Sequence, residues 1–192
     1  MKLDPRRTAL LVMDYQRGIL GMIEDAAALV ERAQNAIETV RKHGGHVGYV
    51  RVAFTPDEVA AIPETNKGFA AAKTSGRAPM DDGPESVIDE RIAPRSSDIV
   101  VRKRRVGAFS TTDLLEQLRK RNVDTLILAG VSTGGVVLST VRDAADRDYR
   151  LFVLADACAD PNATVHEVLT RDVFPRQADV IFTAELAALF AD

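Results

Sequence analysis

Thr8-Ala9-Leu10-Leu11-Val12-Met13-Asp14 is the stretch on which the reading of the fold turns. A half-exposed strand alternates apolar and polar residues; this run does not, as expected of a strand covered by helices on both faces. It ends on a carboxylate. Downstream, Val30, Ala33, Ile37 and Val40 recur at helical spacing among charged residues, and Gly44-Gly45 stops that helix. His46 to Phe54 then reads as a second strand, so that strand, helix and strand follow within about 50 residues, the signature of a βαβ unit.

Residues 55–97 break the pattern with Pro56, Pro63, Gly68, Gly76, Pro79, Gly83, Pro84 and Pro94, and read as a long functional or mobile loop. Alternation resumes with a strand at 98–102, a helix at 112–121, a strand at 125–129 and a helix at 133–146 carrying Val137, Val141 and Ala144 on one stripe. A fifth strand at 151–155 leads to Asp160-Pro161, which reads as an N-cap with proline at the first helical position, opening a helix through residue 169. A sixth strand at 178–183 precedes a closing helix. The pattern predicts a three-layer, doubly wound α/β fold over one domain, 1–192, with six parallel strands in the order 3-2-1-4-5-6 and helices on both faces. In such sheets ligands bind beyond the carboxyl ends of the strands where the order reverses, between strands one and four, which selects Asp14 and Gly130-Val131-Ser132-Thr133.

Composition limits the alternatives. The 192 residues, 46% of them hydrophobic, can cover both faces of a sheet. A net charge of -3 gives no general reason to bind nucleic acid or an anionic membrane. The lone cysteine, Cys158, excludes an internal disulfide and a cysteine-built zinc cage, and suits a cytoplasmic setting. The apolar run before Asp14 is too short for a signal core, so the chain is read as soluble and unprocessed.

Among residues able to carry chemistry, Asp14 either moves protons at a partly desolvated strand end or serves the turn that follows. Gln16 and Arg17 either contact a ligand or face water. Arg102-Lys103-Arg104-Arg105 is a solvated cationic face or an anion patch; one member turned toward Asp14 would hold that carboxylate ionised. The corner from Gly130 to Val136 offers backbone N–H groups at a helix start to an anion or oxyanion, yet has neither the lysine of a phosphate-binding loop nor a dinucleotide fingerprint. Cys158 follows the fifth strand with no histidine beside it and reads as a core residue. His43, His46 and His166 sit at a helix end, a strand start and a helix face, without zinc spacing.

Taken together, these segments resemble the isochorismatase-like hydrolases, also called the cysteine hydrolases, over nearly the whole chain. The carriers are Leu11 to Gln16, Val100-Val101-Arg102-Lys103 running to Gly107-Ala108-Phe109, Gly130-Val131-Ser132-Thr133 running to Ser139-Thr140-Val141-Arg142-Asp143-Ala144, and Asp156-Ala157-Cys158 followed by His166. The resemblance implies that Asp14 is an acid/base, that Lys103 is its ion partner, and that Val131-Ser132 is joined by a cis peptide. It also implies an oxyanion and substrate site from Val131, Ser132, Thr133 and Val136, with Gln16, Arg105 and Phe109 contributing. Homo-oligomerisation is implied as well.

Two departures refine that expectation. The nucleophilic cysteine of the amidase members falls at Val136, which can neither attack a carbonyl nor donate a proton. Where nicotinamidases carry an Asp-x-His-x-x-His metal site, this chain has Arg51-Val52-Ala53-Phe54. Isochorismatases lack the thiol too; their aspartate protonates a vinyl ether and water completes the hydrolysis. The expectation is a hydrolase of a small carboxylate, amide or enol-ether compound, using Asp14 and Lys103, with no cofactor, metal, nucleic acid or membrane partner. A catalytically inactive relative binding a metabolite or partner protein is the alternative, and nucleophilic catalysis by Ser132 or Thr133 a third.

Overall fold

Strand β1, Thr8–Met13, is buried along its whole length, and its side chains divide by parity between two cores. Ala9, Leu11 and Met13 enter one apolar cluster; Leu10 and Val12 enter the other. The computed structural model describes residues 2–190. Across them run β2, His46–Val52, β3, Ile99–Lys103, β4, Thr125–Val131, β5, Arg150–Ala159, and β6, Asp179–Ile181. All pairings are parallel and the order is β3-β2-β1-β4-β5-β6, the expected topology.

Helices α1, Arg17–Leu20, and α2, Ala26–Lys42, follow β1. Asp25 caps α2 by accepting from the Ala28 N–H, and Gly44 at φ +84° ends it in a conformation that costs glycine little. Its Val30, Ala33, Ile37 and Val40 pack on the Leu10 side, together with Leu186 of α8, Leu186–Phe190. The opposite face is covered by Leu114 and Leu118 of α5, Leu114–Lys120, and by Val141 and Ala144 of α6, Leu138–Ala145. The two-sided cover explains why β1 lacks alternation.

Residues 55–97 are not a structureless loop. They hold α3, Pro56–Ala60, α4, Lys67–Thr74, and two single turns, Pro84–Ser86 and Glu90–Ile92. Capping organises this segment: Thr55 and Glu58 form a reciprocal capping box with Pro56 in the first turn, and Asn66 caps α4. Val52, Phe54 and Ile62 bury a small separate core beneath it, with Phe69 against them.

Three further boundaries differ from expectation. Lys103 ends β3 instead of following it. Strand β5 runs on to Ala159, so Cys158 lies within it, opposite Gly130 after an irregularity in the register. Its Asp156 is tolerated because the carboxylate accepts from the Thr183 N–H at 2.8 Å and the Thr183 hydroxyl at 2.6 Å. The helix after β5 is α7, Ala163–Val168, capped by Asn162 and not by Asp160. Asp160 instead accepts from the Gly134 N–H at 2.8 Å and ties this connection to the β4 corner.

Candidate active site

Asp14 takes a left-handed backbone conformation, φ +60°, immediately beyond β1, while its N–H donates to the Val50 carbonyl at 2.8 Å. The side chain does not serve the turn: among the described residues its carboxylate has one partner, the Lys103 ammonium, with Oδ2 to Nζ at 2.8 Å. The other oxygen, Oδ1, is buried without a hydrogen-bond partner among the described residues. Burial pushes the Asp14 carboxyl up to about 6, against the pull of Lys103. Desolvation outweighs the ion pair because the carboxylate has only that one partner.

Strand parity brings the lysine inward. Ile99, Val101 and Lys103 are buried on β3 while Val100 and Arg102 point outward. Lys103 Nζ also donates to the Arg105 and Val106 carbonyls at 3.2 and 2.9 Å, so all three of its N–H bonds are taken. The outward cations have partners of their own: Arg102 and Arg104 both bond Glu58, whose carboxyl is held down to about 2, chiefly by Arg102.

A cavity of about 210 Å³ opens beside Asp14 and Lys103, bounded by Val131, Ser132, Gly135 and Val136 from the β4 corner. The Val131–Ser132 peptide is cis. Thr133 is fully buried behind the corner, its hydroxyl 2.8 Å from His166 Nδ1. Burial lowers the His166 imidazole, and the pair braces α7 against the corner; the helix-face reading of His166 missed this contact. Ile19, Met22, Val52, Phe69, Val106 and Pro161 complete the walls. Apart from Val52 at the end of β2, these come from connections whose apolar residues show no period, so the sequence did not mark them.

Besides Thr133, three of the expected substrate contacts lie away from the cavity. The Gln16 amide bridges backbone, donating to the Val52 and Ser86 carbonyls and accepting from the Val52 N–H at 2.7 Å. Phe109 is buried against Tyr149 with Arg147 over its ring. Arg105 donates to the Arg104 carbonyl at 2.7 Å and does not line the cavity. Cys158 is buried in the sheet and its thiol is pushed up to about 12, mainly by desolvation.

The fold is that of a hydrolase family: residues 8–185 match the Isochorismatase domain, and the chain belongs to the isochorismatase family. It is 36% identical over 176 residues to the uncharacterised isochorismatase family protein YwoC of Bacillus subtilis (strain 168), covering 92% of this chain and 90% of that one. Maleamate amidohydrolase of Pseudomonas putida is 27% identical over 182 residues, 92% of this chain and 83% of the enzyme. The crystal structure of a cysteine hydrolase from Pseudomonas syringae pv. phaseolicola superposes with a TM-score of 0.87 at 25% identity, covering 99% of this chain and 95% of that one. Among the described residues, no helix is long and apolar enough to cross a membrane.

Proposed function

We propose that this chain is a family member without the nucleophilic cysteine, hydrolysing a small amide, ester or enol ether through Asp14 and Lys103. The observation that carries this reading is the Asp14 carboxylate: one oxygen is held by Lys103 and the other, beside a cavity, has no partner among the described residues. Val136, where the sequence resemblance places the amidases' thiol, forms part of the cavity wall, while the one thiol of the chain lies buried in β5.

In this mechanism water is the nucleophile. On an amide or ester, ionised Asp14 takes a proton from water as its oxygen bonds to the carbonyl carbon, and returns that proton to the leaving nitrogen or oxygen. The N–H groups of Ser132 and Val136 receive the charge developing on the carbonyl oxygen. On an enol ether, protonated Asp14 gives its proton to the alkene carbon, water adds to the resulting oxocarbenium carbon while returning a proton to ionised Asp14, and the hemiacetal collapses to a carbonyl compound and an alcohol as its hydroxyl proton passes to the leaving oxygen. A carboxyl titrating near 6 supplies either form near neutrality. Lys103 positions Asp14 and does not touch substrate. Cytoplasmic placement and self-association belong to the same proposal, resting on the lone thiol and the family resemblance.

The test is a turnover screen over small amides, esters and enol ethers, maleamate included. Hydrolysis lost in Asp14→Asn with the fold intact is the expected result. Unchanged turnover in that variant, or tight binding of a metabolite that is never transformed, overturns it; the latter favours a binding protein.

A further inference from the structure

Among the described residues, the charged side chains lining the cavity are Asp14 and Lys103 alone, and they are paired with each other at 2.8 Å. The remaining walls are Ser132, Gly135 and apolar side chains, including Ile19, Val52, Phe69, Val106 and Val136. Lys103 has no N–H left for a ligand, since the Arg105 and Val106 carbonyls hold the other two. Nearby cations are engaged outside: Arg102 and Arg104 with Glu58, Arg17 with Glu90, and Arg105 with a backbone carbonyl. A ligand carboxylate entering here would give up its hydration beside an aspartate and gain no cation in return.

We infer that the cavity takes an uncharged substrate: a compact apolar molecule with one polar, hydrolysable group directed at Asp14 Oδ1, with carboxylates excluded. Oδ1 is the one buried side-chain polar atom of the cavity left without a partner among the described residues. It accepts from an amide N–H when ionised and donates to an ether or carbonyl oxygen when protonated, so it has use for one neutral polar head. The volume, about 210 Å³, lies below the roughly 300 Å³ at which pockets for drug-sized ligands begin. This inference rests on the hydrolytic reading of the cavity and narrows its substrate class, removing the small carboxylates from the compounds expected.

Two probes of similar size separate charge from shape and turnover, because neither can be hydrolysed: benzyl alcohol, whose O–H can donate to ionised Asp14, and benzoate. Ligand-observed NMR titration of the full chain at pH 8 is expected to show benzyl alcohol binding in competition with any substrate found, and benzoate at least about tenfold weaker. Val106→Arg, at a half-exposed wall position, adds a cation and is expected to recover benzoate binding. Benzoate binding to the unmodified protein as tightly as benzyl alcohol, or failure of both to bind, overturns the inference. These readings require no catalysis. Selective benzyl alcohol binding without hydrolysis of any compound would reject the proposed activity and leave the ligand class standing, and hydrolysis of a dicarboxylate would do the reverse.

Discussion

Asparagine in place of Asp14 keeps the shape and the acceptor facing Lys103 and removes the negative charge, so it separates what the carboxylate does for chemistry from what it does to the fold. The carboxyl is carried from its ordinary 3.8 to about 6. At about 1.4 kcal/mol for each tenfold change in proton affinity, ionising Asp14 costs the folded state about 3 kcal/mol relative to the unfolded chain. The folded value is the higher one, so the unfolded chain ionises first as pH rises. Stability from this residue is fully present below pH 3.8, declines through the window up to about 6, and is level above it. Asp14→Asn mimics the protonated state at every pH. Urea unfolding at pH 8 is therefore expected to show the variant more stable by up to about 3 kcal/mol, a rise in Tm of roughly 6–12 °C for a chain of this size. Its stability from pH 4 to 6 should lose the slope contributed by Asp14. Turnover should fall by about 10²–10⁴-fold, the usual contribution of a positioned acid or base. A variant less stable than the parent at pH 8 would show that the ion pair outweighs desolvation, and the physical account of the site would be wrong.

Four other perturbations probe the same arrangement. The pH profile of kcat/KM is expected to bend near 6, rising above it for an amide or ester and falling for an enol ether; a flat profile from pH 5 to 8 counts against Asp14. Lys103→Met leaves a buried carboxylate without its cation, so urea unfolding at pH 8 should show a loss of about 3 kcal/mol or more, and Asp14 should titrate above 6 by NMR. Iodoacetamide should leave native Cys158 unmodified until urea exposes it, whereas Val136→Cys should add a site that mass spectrometry finds alkylated in the folded protein. Thr133→Val removes the hydroxyl bonded to His166 and should cost about 1–2 kcal/mol in urea unfolding; no loss would mean that the contact does not brace the corner.

The topology could be read because burial on both faces leaves a pattern in sequence: an unbroken apolar run for β1, a 3.6-residue period for α2, and glycine where α2 stops. The segment 55–97 resisted for the opposite reason. Its short helices are set by Thr55, Glu58 and Asn66 as caps, and a helix of five to eight residues is too short to display a period. Strand β5 was cut short because Asp156 looks like a loop residue until Thr183, remote in sequence, satisfies it. The cationic run held more information than its charge: Ile99, Val101 and Lys103 share parity, which marks Lys103 as the member facing inward and assigns Arg102 and Arg104 to solvent and Glu58. Gln16 and Phe109 carried no such mark, since a backbone-bridging amide and a core ring depend on partners far along the chain.

Why a fold should bury a carboxylate that resists ionisation follows from the same parity. A leucine and a methionine at positions 14 and 103 would satisfy the apolar pattern of β1 and β3 and remove two desolvated charges, a replacement that is often neutral or stabilising elsewhere. The lysine is nonetheless matched by two carbonyls as well as the carboxylate, whereas the carboxylate keeps one oxygen with no partner among the described residues. Structural pairing alone would favour giving that oxygen a backbone N–H or a hydroxyl, as Asp156 has from Thr183. Two aspartates of one sheet, Asp14 just beyond β1 and Asp156 within β5, thus differ in a way that stability does not explain: one is satisfied by protein, and the other is left to be satisfied by whatever enters the cavity. If Asp14→Leu combined with Lys103→Met gave a folded protein that still turned over substrate, that distinction would have no functional meaning.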